Sequence, residues 1–157
     1  MQGDADNVRM FRSGVHPCGY WQDREARDLV LDPRDPRLPA LYPLALSWGF
    51  RRSGDILYRP SCPGCQACIP IRIDATAFEP DKTQRRVARA NAGVVSAEMP
   101  PRATAEQFAL FNRYQKARHA DGDMAAMGFY DYRAMVEDTP ISSSVVEMRD
   151  ETDKLLG

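Results

Sequence analysis

The chain has 157 residues, of which 43% are hydrophobic and 27% are charged, and its formal net charge at pH 7 is −1. No apolar run approaches the roughly 20 residues that a membrane-spanning helix needs, and the acidic N-terminus lacks the apolar stretch of a secretory signal. We therefore expect a cytoplasmic monomer without a membrane partner, large enough for one hydrophobic core and part of a second.

The small net charge conceals an uneven distribution of charge along the chain. Residues 51–91 contain eight arginines and lysines against four acids, whereas residues 137–157 contain six acids against two bases. A basic segment of this kind is typical of a surface that meets a polyanion such as RNA. A solvated basic face on an ordinary protein surface explains the same charges equally well.

The first third of the chain predicts short strands around one helix. Residues 1–15 form a partly extended leader, residues 23–31 a helical turn that runs into a strand, and the prolines of residues 32–37 a loop. A helix over residues 38–48 follows, and its buried face has the i, i+3, i+4, i+7 spacing. That face consists of Leu41, Leu44, Ala45 and Trp48.

The helix is expected to end in a glycine cap and to be followed by strands. Gly49 stands at the cap position, because glycine adopts positive φ at little cost. Two short strands, over residues 50–52 and 55–59, are predicted around a glycine turn. Residues 69–73 alternate isoleucine with other residues, which predicts a further strand whose Arg72 points away from the isoleucines.

The segment after the cysteines is predicted to form a basic helix and a strand that lead to a domain boundary. The helix spans residues 83–92 and the strand residues 93–98. Pro100 and Pro101 end the strand, because proline cannot continue a ladder. We place the boundary between the two predicted domains at these prolines.

The last third of the chain begins with the clearest helix, over residues 104–119. Thr104 and Gln107 form a capping box there, in which each side chain satisfies an exposed backbone N–H group. A second helix over residues 129–138 follows. A strand over residues 145–148, a turn over 150–153 and a returning strand over 154–157 complete the prediction.

Cys62, Cys65 and Cys68 form a C-x-x-C-x-x-C run, whose two-residue spacers let thiolates converge on one metal ion. Cys18 is the remaining cysteine and completes a four-thiolate site, with His16 as an alternative fourth ligand. The cytoplasm keeps thiols reduced, which argues against disulfides. Zn²⁺ and an iron–sulfur cluster both accept four thiolates, and the spacing does not separate them.

Three other interpretations of the cysteines are open. They can be small apolar residues of a core. The chain can be a non-catalytic, zinc-ribbon-like module that binds nucleic acid, which explains the cysteines and the basic segment but not the capped helix after Pro101. It can also be a small electron carrier with a bound cluster.

Several motifs, in order along the chain, resemble those of bacterial aminoacyl-tRNA–protein transferases. They are Cys18-Gly19-Tyr20, Gly49-Phe50-Arg51-Arg52-Ser53-Gly54-Asp55, residues 58–73 around the cysteine run, Thr83-Gln84-Arg85-Arg86, and Arg118-His119. The chain is similar to the aspartate/glutamate leucyltransferases of this family, which are related to the arginyltransferases. The resemblance covers essentially the whole chain, and the linked motifs make it more specific than any single match.

The resemblance implies an α+β protein with two domains. A small cysteine-bearing N-terminal domain spans residues 1–99, and residues 100–157 begin a catalytic domain with the GNAT acyltransferase fold. The implied activity is transfer of leucine or arginine from aminoacyl-tRNA to the N-terminal Asp or Glu of a protein, which marks that protein for N-degron degradation. The implied partners are aminoacyl-tRNA and proteins that begin with Asp or Glu.

Two features depart from the family pattern. Eukaryotic relatives carry Cys-Gly-Tyr-Cys, whereas this chain has Trp21 at the last position, so three ligands of any metal site come from the second cysteine cluster. Family members also continue beyond the point where this chain ends. We therefore expect a C-terminally truncated fragment with partial or no activity, whose catalytic residues are unknown and which needs no cofactor for the chemistry.

Aminoacyl transfer from an activated ester depends mainly on holding the amine near the carbonyl and stabilising the oxyanion. We assign recognition of the acceptor's acidic side chain to Arg72, because a planar guanidinium binds a carboxylate bidentately. Tyr58 and Gln84 are assigned as assisting residues. The alternative for Arg72 is an ordinary surface arginine on an exposed strand.

The basic helix is assigned to the nucleic acid. Arg85, Arg86 and Arg89 are expected to contact tRNA phosphates, which makes binding dependent on salt. His119 lies at the end of a helix, where a structural histidine favoured by the helix dipole and a catalytic base are both consistent with the sequence.

Overall fold

A computed structural model describes residues 7–157 of the protein. These residues fall into two compact units: the first runs to Ile71 and includes Asp138–Ser142, and the second comprises Arg72–Glu137 and Ser143–Gly157. Both units combine helices or turns with antiparallel strands, so the expected mixture of helix and sheet is confirmed. Within the described residues no helix is both long enough and apolar enough to cross a membrane.

The first unit is a small antiparallel sheet covered by one helix. Its elements are β1 (Met10–Arg12), β2 (His16–Pro17), β3 (Glu25–Ala26), β4 (Asp28–Leu31), α1 (Leu38–Ser47), β5 (Arg51–Ser53) and β6 (Ile56–Pro60). The four-stranded sheet has the order β1-β4-β6-β5, and β2 pairs with β3 in a separate ribbon. The helical turn predicted within residues 23–31 is wrong, because β4 bonds to β1 on one side and to β6 on the other.

The core of the first unit lies between α1 and the sheet. Leu31, Leu38, Ala45, Phe50 and Leu57 form its buried cluster. The predicted helix is present, but the predicted buried face is only partly correct: Ala45 is buried, whereas Leu44 and Trp48 are 45% and 55% exposed. The other buried residue of α1 is Leu38, which the predicted face did not include. Leucines occur on several sides of this helix, so their spacing alone did not select the side that faces the sheet.

The predicted glycine cap and hairpin after α1 are confirmed. Gly49 has φ of +81° and Gly54 has φ of +56°, a region that glycine enters without steric cost. A Cβ atom on Gly49 would also lie 2.9 Å from Cγ of Pro70, so the chain approaches itself closely at this point. The turn at Gly49 brings Phe50 into the core, and β5 then pairs with β6.

The predicted strand over residues 69–73 is wrong. These residues form no regular element, and the side chains of Ile69, Ile71 and Ile73 are 75%, 91% and 73% exposed. A strand needs a neighbouring backbone to pair with, and residues 69–73 pair with none of the strands of the described residues. The alternating isoleucines of residues 69–73 therefore do not form the buried face of a sheet.

The second unit packs helices against a two-stranded sheet. Its elements are α2 (Lys82–Ala90), β7 (Val95–Met99), α3 (Ala105–Arg118), a short 3-10 helix (Asp123–Ala126), α4 (Phe129–Glu137) and β8 (Val145–Arg149). These helices and strands confirm the elements predicted for residues 83–148. The chain then turns back, with Leu156 N donating to Met148 O at 2.8 Å and an antiparallel bridge between Arg149 and Leu155.

The capping box of α3 is present as predicted. The backbone N–H of Gln107 donates to Thr104 Oγ1 at 3.2 Å, and the backbone N–H of Thr104 donates to Gln107 Oε1 at 2.9 Å. Behind this turn, the rings of Phe108, Phe111 and Tyr132 lie against each other, with centroid distances of 5.0 to 6.4 Å. These aromatic contacts hold α3 against α4.

The boundaries of the two compact units differ from those of the predicted domains 1–99 and 100–157. Residues 72–99 belong to the second unit, because β7 pairs with β8 over all five of its residues. Pro100 and Pro101 end a strand of that unit. The domain boundary at these prolines stays a prediction from sequence.

Candidate functional site

The cysteine run forms a loop directly after β6. Gly64 has φ of +68°, which allows the tight turn in which Cys65 N donates to Cys62 O at 3.4 Å. Cys62 Sγ donates to Arg27 O at 3.7 Å, and a guanidinium nitrogen of Arg24 lies 3.8 Å from Cys65 Sγ. The loop is thus attached to the segment around β3.

The loop borders a cavity of about 420 Å³ that we call the cysteine cavity. Its lining residues include the three loop cysteines, Trp48, Arg59, Ser61 and Gln66. Gly49 and two prolines complete the wall, and all lining residues belong to the first unit. Three of the four cysteines predicted as metal ligands therefore share one cavity, and Cys18 is absent from its lining.

The described residues do not present a metal-binding arrangement. Across residues 7–157, no group of three or more His, Cys, Asp or Glu side chains is placed to hold a metal ion. All four cysteines are free thiols that are half-buried, and His16 Nε2 lies 3.1 Å from Asp28 Oδ2. The four-cysteine metal site thus does not fit this arrangement and stays a prediction from sequence. The zinc-ribbon and electron-carrier interpretations gain no support from this geometry.

Arg59 is the charged residue of the cysteine cavity. It lies on β6, where its Nη1 donates to the backbone oxygen of Trp48 at 2.9 Å and its Cζ lies 5.2 Å from the ring centroid of Phe50. Within the described residues no carboxylate forms an ion pair with it. Sequence reasoning did not select Arg59, although it precedes the cysteine run by three residues and belongs to the quoted motif.

The three residues predicted to bind the acceptor are not gathered in one unit. Tyr58 is half-buried on β6 of the first unit, whereas Arg72 is exposed in an irregular segment of the second. Gln84 belongs to the second unit, and its Oε1 accepts the backbone N–H of Asp81 at 2.8 Å. The strand that was expected to orient Arg72 is absent, so the geometric reason for choosing Arg72 is lost.

The predicted basic helix is present and fully exposed. Asp81 caps α2 with a capping box, and no residue of the helix is buried. Lys82, Arg85, Arg86 and Arg89 have the i, i+3, i+4, i+7 spacing that places side chains on one side of a helix. We call these four residues the basic face. One of its members, Arg85, also donates to the backbone oxygen of Pro80.

The second unit has its own cavity, of about 290 Å³, between α3, α4 and β8. Glu147 is 5% exposed at its wall and accepts a 2.7 Å hydrogen bond from Gln107 Nε2. This bond and the Arg149 guanidinium hold the pKa of Glu147 below its ordinary value. Burial, together with the Glu147 charge, raises the pKa of Tyr132. Sequence reasoning missed this buried carboxylate, although it stands at an inward position of a predicted strand.

His119 lies at the C-cap of α3, where its ring centroid is 5.7 Å from that of Tyr114. It is exposed, and it does not line either of the two cavities described above. The helix-end position predicted for it is confirmed. Its geometry agrees with a structural residue at a helix C-terminus, where the dipole favours positive charge.

Comparison with known proteins matches both parts of the chain to one family. The model described as arginine-tRNA-protein transferase, N terminus, matches residues 16–86, and the model for the C terminus matches residues 106–157. Two proteins named aspartate/glutamate leucyltransferase show the same relationship. One from Stenotrophomonas maltophilia is 50% identical over 95% of this chain, and one from Granulibacter bethesdensis is 52% identical over 93%.

These matches cover most of the chain but only part of each relative. The chain spans 60% of the length of the Stenotrophomonas protein and 55% of the Granulibacter protein. The two family models follow each other in the expected order, and the identity is too high to reflect the fold alone. The resemblance stated from the sequence motifs is confirmed, and the chain belongs to the arginine-tRNA–protein transferase family.

Proposed function

We propose that the chain is part of an aminoacyl-tRNA–protein transferase of the cytoplasm. In this proposal the whole protein transfers leucine from leucyl-tRNA to the N-terminal Asp or Glu of a protein, and the product enters the N-degron degradation route. The supporting observation is identity of about one half to proteins named aspartate/glutamate leucyltransferases, over nearly the whole chain. Their name favours leucine over arginine, which the description of the family models names instead.

The reaction in this proposal is aminolysis of an ester. The acceptor's neutral α-amine attacks the aminoacyl carbonyl, the bond to the tRNA ribose oxygen breaks, and the proton of the amine leaves with that oxygen. Because the ester is already activated, positioning and stabilisation of the oxyanion supply most of the rate enhancement. We propose that the second unit begins the acyltransferase domain, with a GNAT-like fold, and its catalytic residues are not assigned.

The basic face of α2 is the proposed contact with tRNA. Its four charges span about two turns of the helix, which rise by about 5.4 Å each, and none of them is buried. Cations on an exposed helix side neutralise phosphates without reading bases, which suits a protein that must accept an aminoacyl-tRNA by its backbone. The side chains of Arg86 and Arg89 have no hydrogen-bond partner among the described residues, so their guanidinium groups are available for this contact.

Recognition of the acceptor is the second part of the proposal. Arg72 remains a candidate because it is an exposed guanidinium without a carboxylate partner in the described part of the chain. Tyr58 is the proposed assisting residue, and this role requires that its side chain contacts the same acceptor residue as Arg72. Gln84 is a weaker candidate, since its side-chain oxygen already caps α2. A zinc ion or iron–sulfur cluster on the four cysteines is a separate proposal, which metal analysis of the purified protein tests.

The deciding experiment is a transfer assay on a chimera. Residues 1–157 replace the matching part of the Stenotrophomonas relative, and the chimera receives radiolabelled leucyl-tRNA with peptides that begin with Asp, Glu or Asn. We expect leucine on the Asp and Glu peptides and none on the Asn peptide. A chimera that unfolds cooperatively but transfers no leucine, while the intact relative does, contradicts the proposal. Transfer from arginyl-tRNA instead identifies arginine as the substrate.

A further inference from the structure

The cysteine cavity contains a cation without a counterion. Arg59 is half-buried, and among the described residues its guanidinium contacts a backbone oxygen of Trp48 and the ring of Phe50. No lining residue of the cavity is an aspartate or glutamate. A guanidinium in such a place retains unused N–H donors, and partial burial strengthens its attraction for an anion.

The orientation of Arg59 is fixed by groups that do not neutralise it. One nitrogen is held 2.9 Å from the oxygen of Trp48, and Cζ lies over the ring of the buried Phe50, 5.2 Å from its centroid. A fixed guanidinium loses little side-chain entropy when it binds, so it is well suited to a bidentate ligand. Among the described residues the other guanidinium nitrogens have no hydrogen-bond partner, so they are available to a molecule in the cavity.

The other lining groups match a small, singly charged ligand. Ser61 and Gln66 offer neutral hydrogen-bonding groups, and the thiols and prolines offer apolar surface. The volume of about 420 Å³ lies within the range of about 300–1,000 Å³ that small-molecule sites occupy. Phosphate sites usually combine several cations or a helix N-terminus, and the cavity lining supplies neither. A carboxylate is therefore the anion that the chemistry favours.

We propose that Arg59 binds the side-chain carboxylate of the acceptor's first residue inside the cysteine cavity. Arg59, rather than Arg72, then determines the preference for Asp and Glu over Asn and Gln. This inference rests on the proposed function in one respect, which is that the acceptor begins with an acidic residue. Arg59 binds the acceptor and takes no part in the transfer of the proton or the acyl group.

The test measures peptide binding by the 157-residue chain, without tRNA and without transfer. Calorimetry or NMR titration compares two short peptides that differ only in an N-terminal Asp or Asn. The variants are Arg59→Gln, Arg59→Lys, Arg72→Ala and the control Arg51→Gln. Arg51 is also half-buried and lies on the neighbouring strand β5, but it lines a different cavity beside Tyr20 and Trp21.

We expect the unaltered chain to prefer the Asp peptide by at least about tenfold, because a bidentate charge-assisted contact contributes this much. Arg59→Gln removes the preference, whereas Arg51→Gln and Arg72→Ala retain it. Arg59→Lys keeps the charge but loses the planar fork, so it retains a smaller preference. Should Arg59→Gln fail to fold by circular dichroism, a reduced preference in Arg59→Lys still supports the inference and an unchanged one contradicts it.

The remaining outcomes separate this inference from the proposed function. Loss of the preference in Arg72→Ala but not in Arg59→Gln overturns the role of Arg59 and leaves the proposed function standing. Equal binding of both peptides by the unaltered chain overturns the carboxylate site, even when the chimera transfers leucine. A competition experiment adds inorganic phosphate or acetate to the bound Asp peptide. If phosphate displaces the peptide as well as acetate does, the cavity is a general anion site, and this outcome also overturns the carboxylate site.

Discussion

The side-chain amide of Gln107 donates a 2.7 Å hydrogen bond to Oε1 of Glu147 and thereby joins the first turn of α3 to the middle of β8. Both residues are buried, with exposures of 6% and 5%. The same Gln107 side chain accepts the backbone N–H of Thr104 through its oxygen. One amide group therefore completes a helix cap and also satisfies a buried carboxylate.

The hydrogen bond between Gln107 and Glu147 can be tested by exchanging the amide and the carboxylate between the two positions. Gln107→Glu keeps the oxygen that caps α3 but places a second carboxylate against Glu147, which destabilises the fold by about 1–3 kcal/mol at pH 7. Adding Glu147→Gln restores one amide and one carboxylate with their positions exchanged, so the double variant recovers at least half of the loss. Urea unfolding measures both changes. A double variant that is no more stable than Gln107→Glu alone contradicts a stabilising contact between the two side chains.

The ion pairs of Arg149 are expected to make the stability of the second unit depend on pH. Its guanidinium lies 2.9 Å from Glu147 and 2.8 Å from Glu106. The bond from Gln107 and the Arg149 contact lower the pKa of Glu147, and the Arg149 contact lowers the pKa of Glu106. A folded-state pKa below the unfolded value means that unfolding takes up protons, so this stability is complete above the unfolded value and is lost as the pH falls through the folded value.

Arg149→Gln tests that relationship. We expect it to lower the free energy of unfolding at pH 7, and we expect the difference from the unaltered chain to shrink as the pH falls below the ordinary glutamate pKa. Arg118→Gln, which removes one charge from an exposed position of α3, provides the control and changes stability by less than about 0.5 kcal/mol. A difference that stays constant from pH 7 to pH 3 contradicts the ion-pair explanation.

The corrected face of α1 is tested by two identical truncations. Leu38 has no exposed surface and Leu44 is 45% exposed. Leu38→Ala leaves a cavity beneath the sheet and costs about 2–5 kcal/mol, whereas Leu44→Ala costs about 1 kcal/mol or less. Denaturant unfolding of the two variants measures the difference. Equal costs, or a larger cost for Leu44→Ala, place the buried face of the helix where the spacing alone predicted it.

The basic face of α2 predicts a dependence of tRNA binding on salt. Neutralising one phosphate contact, as in Arg86→Gln, weakens binding and reduces the slope of log affinity against log salt by about 0.7–0.9. Arg133→Gln removes the same charge from α4, where the guanidinium lies over the ring of Tyr130, and it leaves the slope unchanged. Filter binding at several salt concentrations provides the measurement. If both variants have the same slope, the basic face does not contact tRNA phosphates and is an ordinary solvated surface.

The local parts of this fold are readable from the sequence because they depend on neighbouring residues. Gly49 and Gly54 mark the two turns by their tolerance of positive φ, and Thr104 with Gln107 marks the start of α3 by reciprocal capping. The family is readable for a similar reason, since its motifs are contiguous runs of residues. The Ile69–Ile73 alternation shows the limit of this reasoning, because in the described residues this segment pairs with no strand.

The cysteine run is a further case in which sequence and structure answer different questions. The residue spacing predicted a loop whose thiols converge on one ion; three of them border one cavity, but within the described residues they are not placed to hold a metal. The neighbours of that loop include Arg59, which lies on β6 three residues before it, and Trp48, which follows α1 further away in the chain. Periodicity and motif spacing contain no information about which of several arginines lacks an acid in its surroundings.

The sequence by itself determined the family, the positions of most helices and strands, and the segment that carries the basic face. Only the tertiary structure decided which side of α1 is buried, that Gln107 reaches Glu147, and that Arg59 enters a cavity without a counterion. The physical reason is the range of the interactions. Backbone preferences and caps act within a few residues, whereas burial and charge compensation depend on segments that folding brings together from distant parts of the chain.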